Sequence, residues 1–114
     1  MADKRELKEQ YKQMKPDMGV FVFKCKSSGK AYLGFSQNIK AYMNSLVFQL
    51  NLGSYNMSAN LQSDWKKYGE NGFEAAVLEL LKYDKDESKT DYTADLKLLR
   101  DFCSEKFNEF EYVS

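Results

Sequence analysis

Apolar residues recur at Leu7, Tyr11 and Met14, the spacing of one narrow helical face. Asp3 is a ready N-cap with Glu6 three positions on, so the pattern predicts a helix over residues 3–14, stopped by Pro16, which pushes the residue before it out of helical geometry. From Gly19 to Cys25 the chain is rich in Val and Phe and reads as a strand. Ser27-Ser28-Gly29 supplies a turn, and Ala31 to Phe35 reads as the partner strand of a β-hairpin. Asn38 is a good N-cap, and Ile39, Met43, Leu46, Val47 and Leu50 follow at helical spacing until Asn51 and Gly53 end the helix. A second helix from about Ser58 to Tyr68 puts Leu61, Trp65 and Tyr68 on one face. Gly69 and Gly72 bracket a tight connection to Phe73–Leu81, which periodicity leaves ambiguous and position favours as a third strand. After a charged loop over residues 82–90, Asp91 or Thr90 caps a last helix whose buried side is predicted to carry Tyr92, Leu96, Leu99, Phe102 and Cys103. In the tail from Phe107, Phe and Tyr alternate with Glu, a pattern open to a short edge strand or to docking on the surface.

The element order, α-ββ-αα-β-α, reads as α+β: a small three-stranded, mostly antiparallel sheet flanked by helices, with an extra helix in front. A chain of 114 residues suits one domain. The expected division is residues 1–17 as the front helix and connector and residues 18–114 as the main domain, packed as a single compact unit.

Charge changes this picture more than composition does. The net charge is zero, which argues against strong non-specific binding to nucleic acid. The signs are nevertheless segregated: residues 1–57 hold nine Lys or Arg and four Asp or Glu, and residues 58–114 hold eight and thirteen. A basic face on the first half is one reading, a solvated surface the other. There is no histidine, which removes the commonest general base and metal ligand. Cys25 and Cys103 match no metal-ligand spacing and read as buried thiols of a reducing, cytoplasmic compartment. No apolar run approaches the roughly 20 residues that span a bilayer, so no membrane association is expected. Trp65 reads either as core or as a base-stacking ring, and Lys66-Lys67 as a phosphate contact or a solvated helix face.

Gly19-Val20-Phe21 and Tyr32-Leu33-Gly34, separated by Ser27-Ser28-Gly29-Lys30, resemble the paired strings of the GIY-YIG nuclease domain. The likeness continues through Asn38-Ile39-Lys40, Gly53, Asn60-Leu61-Gln62, Asp64-Trp65, Lys67-Tyr68-Gly69-Glu70, Phe73 and Leu78-Glu79, and covers roughly Met18 to Phe107. It implies the fold deduced above and a history of metal-dependent hydrolysis of phosphodiesters. In that family a Tyr of either string activates or positions the nucleophile, an Arg on the first long helix steadies the phosphate, and a Glu on a later helix holds one divalent metal. A cation and a guanidinium offset the charge that builds on the phosphate oxygens. Here the first-string Tyr position is Phe21, while the second string keeps Tyr32. The Arg position, eight residues past Gly34, is Tyr42, and a position often filled by His is Leu46. Counterparts of the metal-binding Glu run from Asp95 through Arg100 to Asp101. Lys30 and Lys40 are the cations near the expected cleft.

A neutral ring at position 42 cannot replace a bidentate guanidinium. The expectation is therefore a GIY-YIG-like domain without catalysis or cofactor, acting as a nucleic-acid or protein binding module. One alternative is a metal-dependent endonuclease with a rearranged site, in which Tyr32, Lys30 and Lys40 act with Mg or Mn on Asp95 or Asp101. Another is an interaction or homodimerisation domain using the front helix or the aromatic tail. The expected partners are DNA, bound weakly, a protein, or a second copy.

Overall fold

The computed structural model describes residues 15–114, so the expected front helix lies outside the described residues. The hairpin forms as predicted, with β1 (Met18–Cys25) antiparallel to β2 (Ala31–Ser36) and Phe23 opposite Tyr32. Gly29 takes φ 75° in the turn between them, a conformation in which L side chains clash. Helix α1 (Ile39–Leu52) follows, with Asn38 accepting from the Ala41 amide at its start and Gly53 in the left-handed region at its end. Ser58 caps α2 (Ala59–Tyr68) by accepting from the Leu61 amide. After a 3-10 turn, β3 (Phe73–Leu81) pairs antiparallel with the other edge of β1. Helix α3 (Thr93–Ser104) begins where Asp91 accepts from the Thr93 amide.

Two expectations are corrected. The sheet has four strands, not three, because Phe110–Tyr112 forms β4 and pairs parallel with β2, giving the order β3-β1-β2-β4. Three residues are too few to show alternation, so pairing decided what pattern left open. Phe102 is not on the buried side of α3: it is 62 % exposed. Cys103, its neighbour, takes the inward position against Val20, Val22 and Leu33.

Strand β1 sits between its neighbours with both faces covered. Phe21, Phe23 and Cys25 face α1 and α2, meeting Ile39, Leu46, Leu50, Leu61 and Trp65. Val20 and Val22 face α3, meeting Cys103 and Leu99, while Met18 meets Leu96 and Tyr92. Trp65 is core: its ring lies 4.9 Å from Phe73, and its indole N–H donates to Asn51 at 2.8 Å. Among the described residues no helix is long and apolar enough to cross a membrane.

Glycine at position 19 has a steric cause. A Cβ there would lie 2.2 Å from the Glu79 carbonyl oxygen on β3, beside the register shift that the two strands make between Val20 and Phe21. Gly19→Ala is expected to lower the unfolding free energy by about 2–3 kcal/mol, since backbone rather than a side-chain tip must move. Gly29→Ala, which meets no neighbour and bears only the positive-φ penalty, costs about 1 kcal/mol. Urea midpoints of the two variants check the difference.

Candidate functional site

The two strings meet on the face of the hairpin that α1 and α2 cover. Tyr32 is fully buried there. Its hydroxyl donates to Asp64 Oδ2 at 2.5 Å, and the Lys30 ammonium lies 5.0 Å from its ring centroid. Burial, then the hydrogen bond to Asp64 and that residue's negative charge, then Glu111, push the phenol far above its ordinary range. Phe21 stands one pair along, its ring centroid 5.5 Å from that of Tyr42 on α1 and 5.6 Å from Phe23. The rings at positions 21 and 42, which the resemblance matches to a Tyr and an Arg, thus lie side by side.

The tail closes this face. β4 runs beside β2, with Glu111 opposite Tyr32, and the Val113 amide donates to the Leu33 carbonyl at 2.8 Å. Val113 is buried among the residues under α1 and α2. Ser114 Oγ accepts from the Phe35 amide and donates to its carbonyl, and the Arg100 guanidinium donates to the Ser114 carbonyl at 2.7 Å. Glu111 accepts a short hydrogen bond from the Ser58 hydroxyl and one of 2.8 Å from Asn60 Nδ2, and its carboxylate is 3.9 Å from Lys30 Nζ. Burial by itself would raise the Glu111 carboxyl, but these hydrogen bonds and the Lys30 charge outweigh it and hold the group below the usual range. The nearby Tyr55 hydroxyl is buried with no protein partner; burial first, then Tyr42 and Glu111, push it up to about 12.

The structure therefore brings together Tyr32 with Lys30, and Phe21 with Tyr42. Gly34 is part of the same contact, since a Cβ there would lie 2.4 Å from Phe21 Cζ and 2.5 Å from Ser114 Oγ. Val20 and Leu33 of the strings face α3 instead. Lys40 is exposed on the first turn of α1. Asp95 and Asp101 lie on α3, which packs on the opposite face of the sheet, where Asp95 pairs with Lys89 at 2.8 Å and Asp101 with Arg100 at 3.2 Å. Among the described residues no group of three or more His, Cys, Asp or Glu side chains is arranged to hold a metal ion. The two acids offered as ligands, Asp95 and Asp101, are each paired with a cation and sit on the helix across the sheet from Tyr32.

Sequence reasoning missed Asp64, Glu111, Ser58, Asn60 and Tyr55 as members of this site. A signal was present for two of them. Asp64 falls between Leu61 and Tyr68 on the apolar stripe of its helix, and Glu111 alternates with Val113 on one side of a strand. A carboxylate on an otherwise apolar face needs a partner.

The domain is α+β with a GIY-YIG-like fold. Two solved structures share it. The catalytic domain of homing endonuclease I-TevI superposes with a TM-score of 0.65 at 22 % identity, over 85 % of this chain and 98 % of that one. A point mutant of the catalytic domain of intron endonuclease I-TevI gives 0.61 at 24 %, over 81 % and 84 %. At this identity the likeness speaks for the fold alone. No family model and no curated protein sequence matches the chain.

The two buried tyrosines respond oppositely to loss of the hydroxyl. Tyr32→Phe leaves Asp64 without its donor and is expected to cost about 1–3 kcal/mol, whereas Tyr55→Phe removes an unpartnered hydroxyl and is expected to be neutral or to stabilise by about 1 kcal/mol. Both phenols are raised in the folded state, so the folded protein holds their protons after the unfolded chain has released them. Their contribution is fully present below pH ~10, the unfolded value, and is lost as pH rises above it, by up to about 1.4 kcal/mol per pH unit for each group. Urea unfolding from neutral to alkaline pH checks this: each variant should flatten the decline.

Proposed function

We propose that this domain does not cleave phosphodiesters and serves as a binding module for an anionic partner, either nucleic acid or an acidic protein surface. One observation carries the reading: the Tyr32 hydroxyl is buried and committed to Asp64. A general base or nucleophile-positioning group must come within hydrogen-bond reach of the reacting atom, and this hydroxyl is already taken by Asp64 on α2. Phe21 and Tyr42 support it further, since their paired rings supply neither a proton acceptor nor a charge for a phosphate. The anionic partner is suggested by residues 18–69, which hold six lysines and a single acid, Asp64, whose carboxylate is turned to Tyr32.

The test is a cleavage assay on branched, single-stranded and duplex DNA with magnesium or manganese, run beside Tyr32→Phe. The expected result is no cleavage by either protein. Cleavage that Tyr32→Phe abolishes would establish the rearranged endonuclease and sink the proposal. Binding is read separately by fluorescence anisotropy: affinity for an oligonucleotide that falls steeply with salt assigns nucleic acid as the partner, and its absence at low salt assigns a protein.

A further inference from the structure

The sheet ends on one side at β4, three residues long, and on the other at β3, nine residues long. The hairpin fixes which way the β3 backbone points. The Cys25 amide donates to the Lys30 carbonyl, and the Gly29 amide to the Cys25 carbonyl. Cys25, Phe23 and Phe21 therefore turn their backbone groups to β2, while Lys24 and Val22 turn theirs to β3, where they meet Glu74 and Ala76. Ala75 and Val77 consequently point their own amides and carbonyls away from the sheet. Leu78 is the extra residue at the register shift, since Val77 lies opposite Phe21 and Glu79 opposite Val20. Past it, Leu80 points outward again. Among the described residues no hydrogen bond reaches these outward groups.

The side chains of the same three residues fall on the α1 and α2 face, opposite Phe23, Phe21 and Gly19. The helices do not reach over them. Val77 is 47 % and Leu80 53 % exposed, and Ala75 is exposed as well. The strand Phe-Glu-Ala-Ala-Val-Leu-Glu-Leu-Leu holds neither proline nor lysine, the residues that commonly guard an edge. The bulge does not close it either, because Leu78 packs on the α3 side with Val20 and Val22. A row of open amides and carbonyls beside apolar side chains is matched by another extended strand.

The strand it matches is its own copy. Consider two β3 strands antiparallel about a two-fold axis through Val77. Val77 then faces Val77 of the second copy, and the two residues exchange both N–H···O bonds. Ala75 faces Leu80, because the bulge adds one residue between them. The exposed side chains Leu80, Val77, Val77 and Leu80 form one continuous apolar row. Glu74 falls opposite Leu81, and Glu79 opposite Ala76. One step toward Ala76 would set Glu74 against Glu79, and one step the other way would set Glu79 against its own copy. Like charges directly opposite destabilise a pair. The edge is thus self-complementary in one register, which is what a two-fold contact requires.

We propose that the chain forms a two-fold dimer through β3, joining two four-stranded sheets edge to edge with Val77 on the axis. Such a contact is isologous and closes at two copies. A single pair of strands buries little area, so the association is weak and depends on concentration. It uses the edge of the sheet away from β4 and Glu111, and so goes beyond the reading of the Tyr32 site.

Sedimentation velocity and amide hydrogen exchange of the full chain, over a range of concentrations, test it. The wild type is expected to pass from monomer to dimer and form nothing larger. The amides of Ala75, Val77 and Leu80, open in the monomer, should become protected as the dimer forms. Val77→Pro removes an outward N–H that β1 does not use, a substitution that edge strands accept. Val77→Lys sets two like charges across the axis at a half-exposed position. Thermal melts confirm that each variant folds, and both should stay monomeric where the wild type dimerises. Wild type that remains monomeric at millimolar concentration overturns the proposal. So does a dimer in which those three amides stay open, or one that survives in a folded variant. No nucleic acid is present, so failure here leaves the reading of the Tyr32 site untouched.

Discussion

Every side chain of β1 except Lys24 is buried. A strand that is apolar on both faces must be covered on both, and this governs the architecture around it. β2 and β3 take its two edges, α1 and α2 take one face, and α3 takes the other. The close approach of β3 requires glycine at the start of β1, because the Glu79 carbonyl stands where a side chain would begin. The first motif string is in this sense a packing requirement before it is a chemical one.

β1 also sorts the chemistry. Residues that alternate along the hairpin go to different sides, so Phe21 and Tyr32 share a face with Tyr42, while Val20 and Leu33 turn toward α3. The acids of α3 are consequently separated by the sheet from the phenol that the resemblance would pair them with. The carboxylates that do reach Tyr32 come from elsewhere. Asp64 arrives on the apolar stripe of α2 and takes its hydroxyl. Glu111 arrives on β4, held by Ser58, Asn60 and Lys30. A phenol bonded to a carboxylate and shut away from water holds its proton tightly. The same closure leaves the Tyr55 hydroxyl buried without a protein partner.

The order of charge along the chain follows the order of its elements. The segments poor in acid form the hairpin and the two helices of one face. The acid-rich segments supply β3, the charged loop, α3 and the tail. Zero net charge therefore conceals segments of unlike charge, which total charge by itself would not reveal.

Much of this was written in local pattern. The hairpin, α1 with its Asn38 cap and Gly53 stop, α2 after Ser58, and the inward placing of Trp65 follow from periodicity and capping chemistry, which act over a few residues. The two strings and the block after them pointed to the GIY-YIG-like fold. What local pattern could not specify was anything set by pairing between distant segments. β4 exists because three residues find the free edge of β2, and Phe102 faces solvent because its neighbour Cys103 fits the groove above Val20 and Val22. The Tyr32–Asp64 bond joins residues 32 positions apart, and the Ser58–Glu111 bond joins residues 53 apart. A side chain's period says which face it takes; only the packed sheet decides what waits on that face.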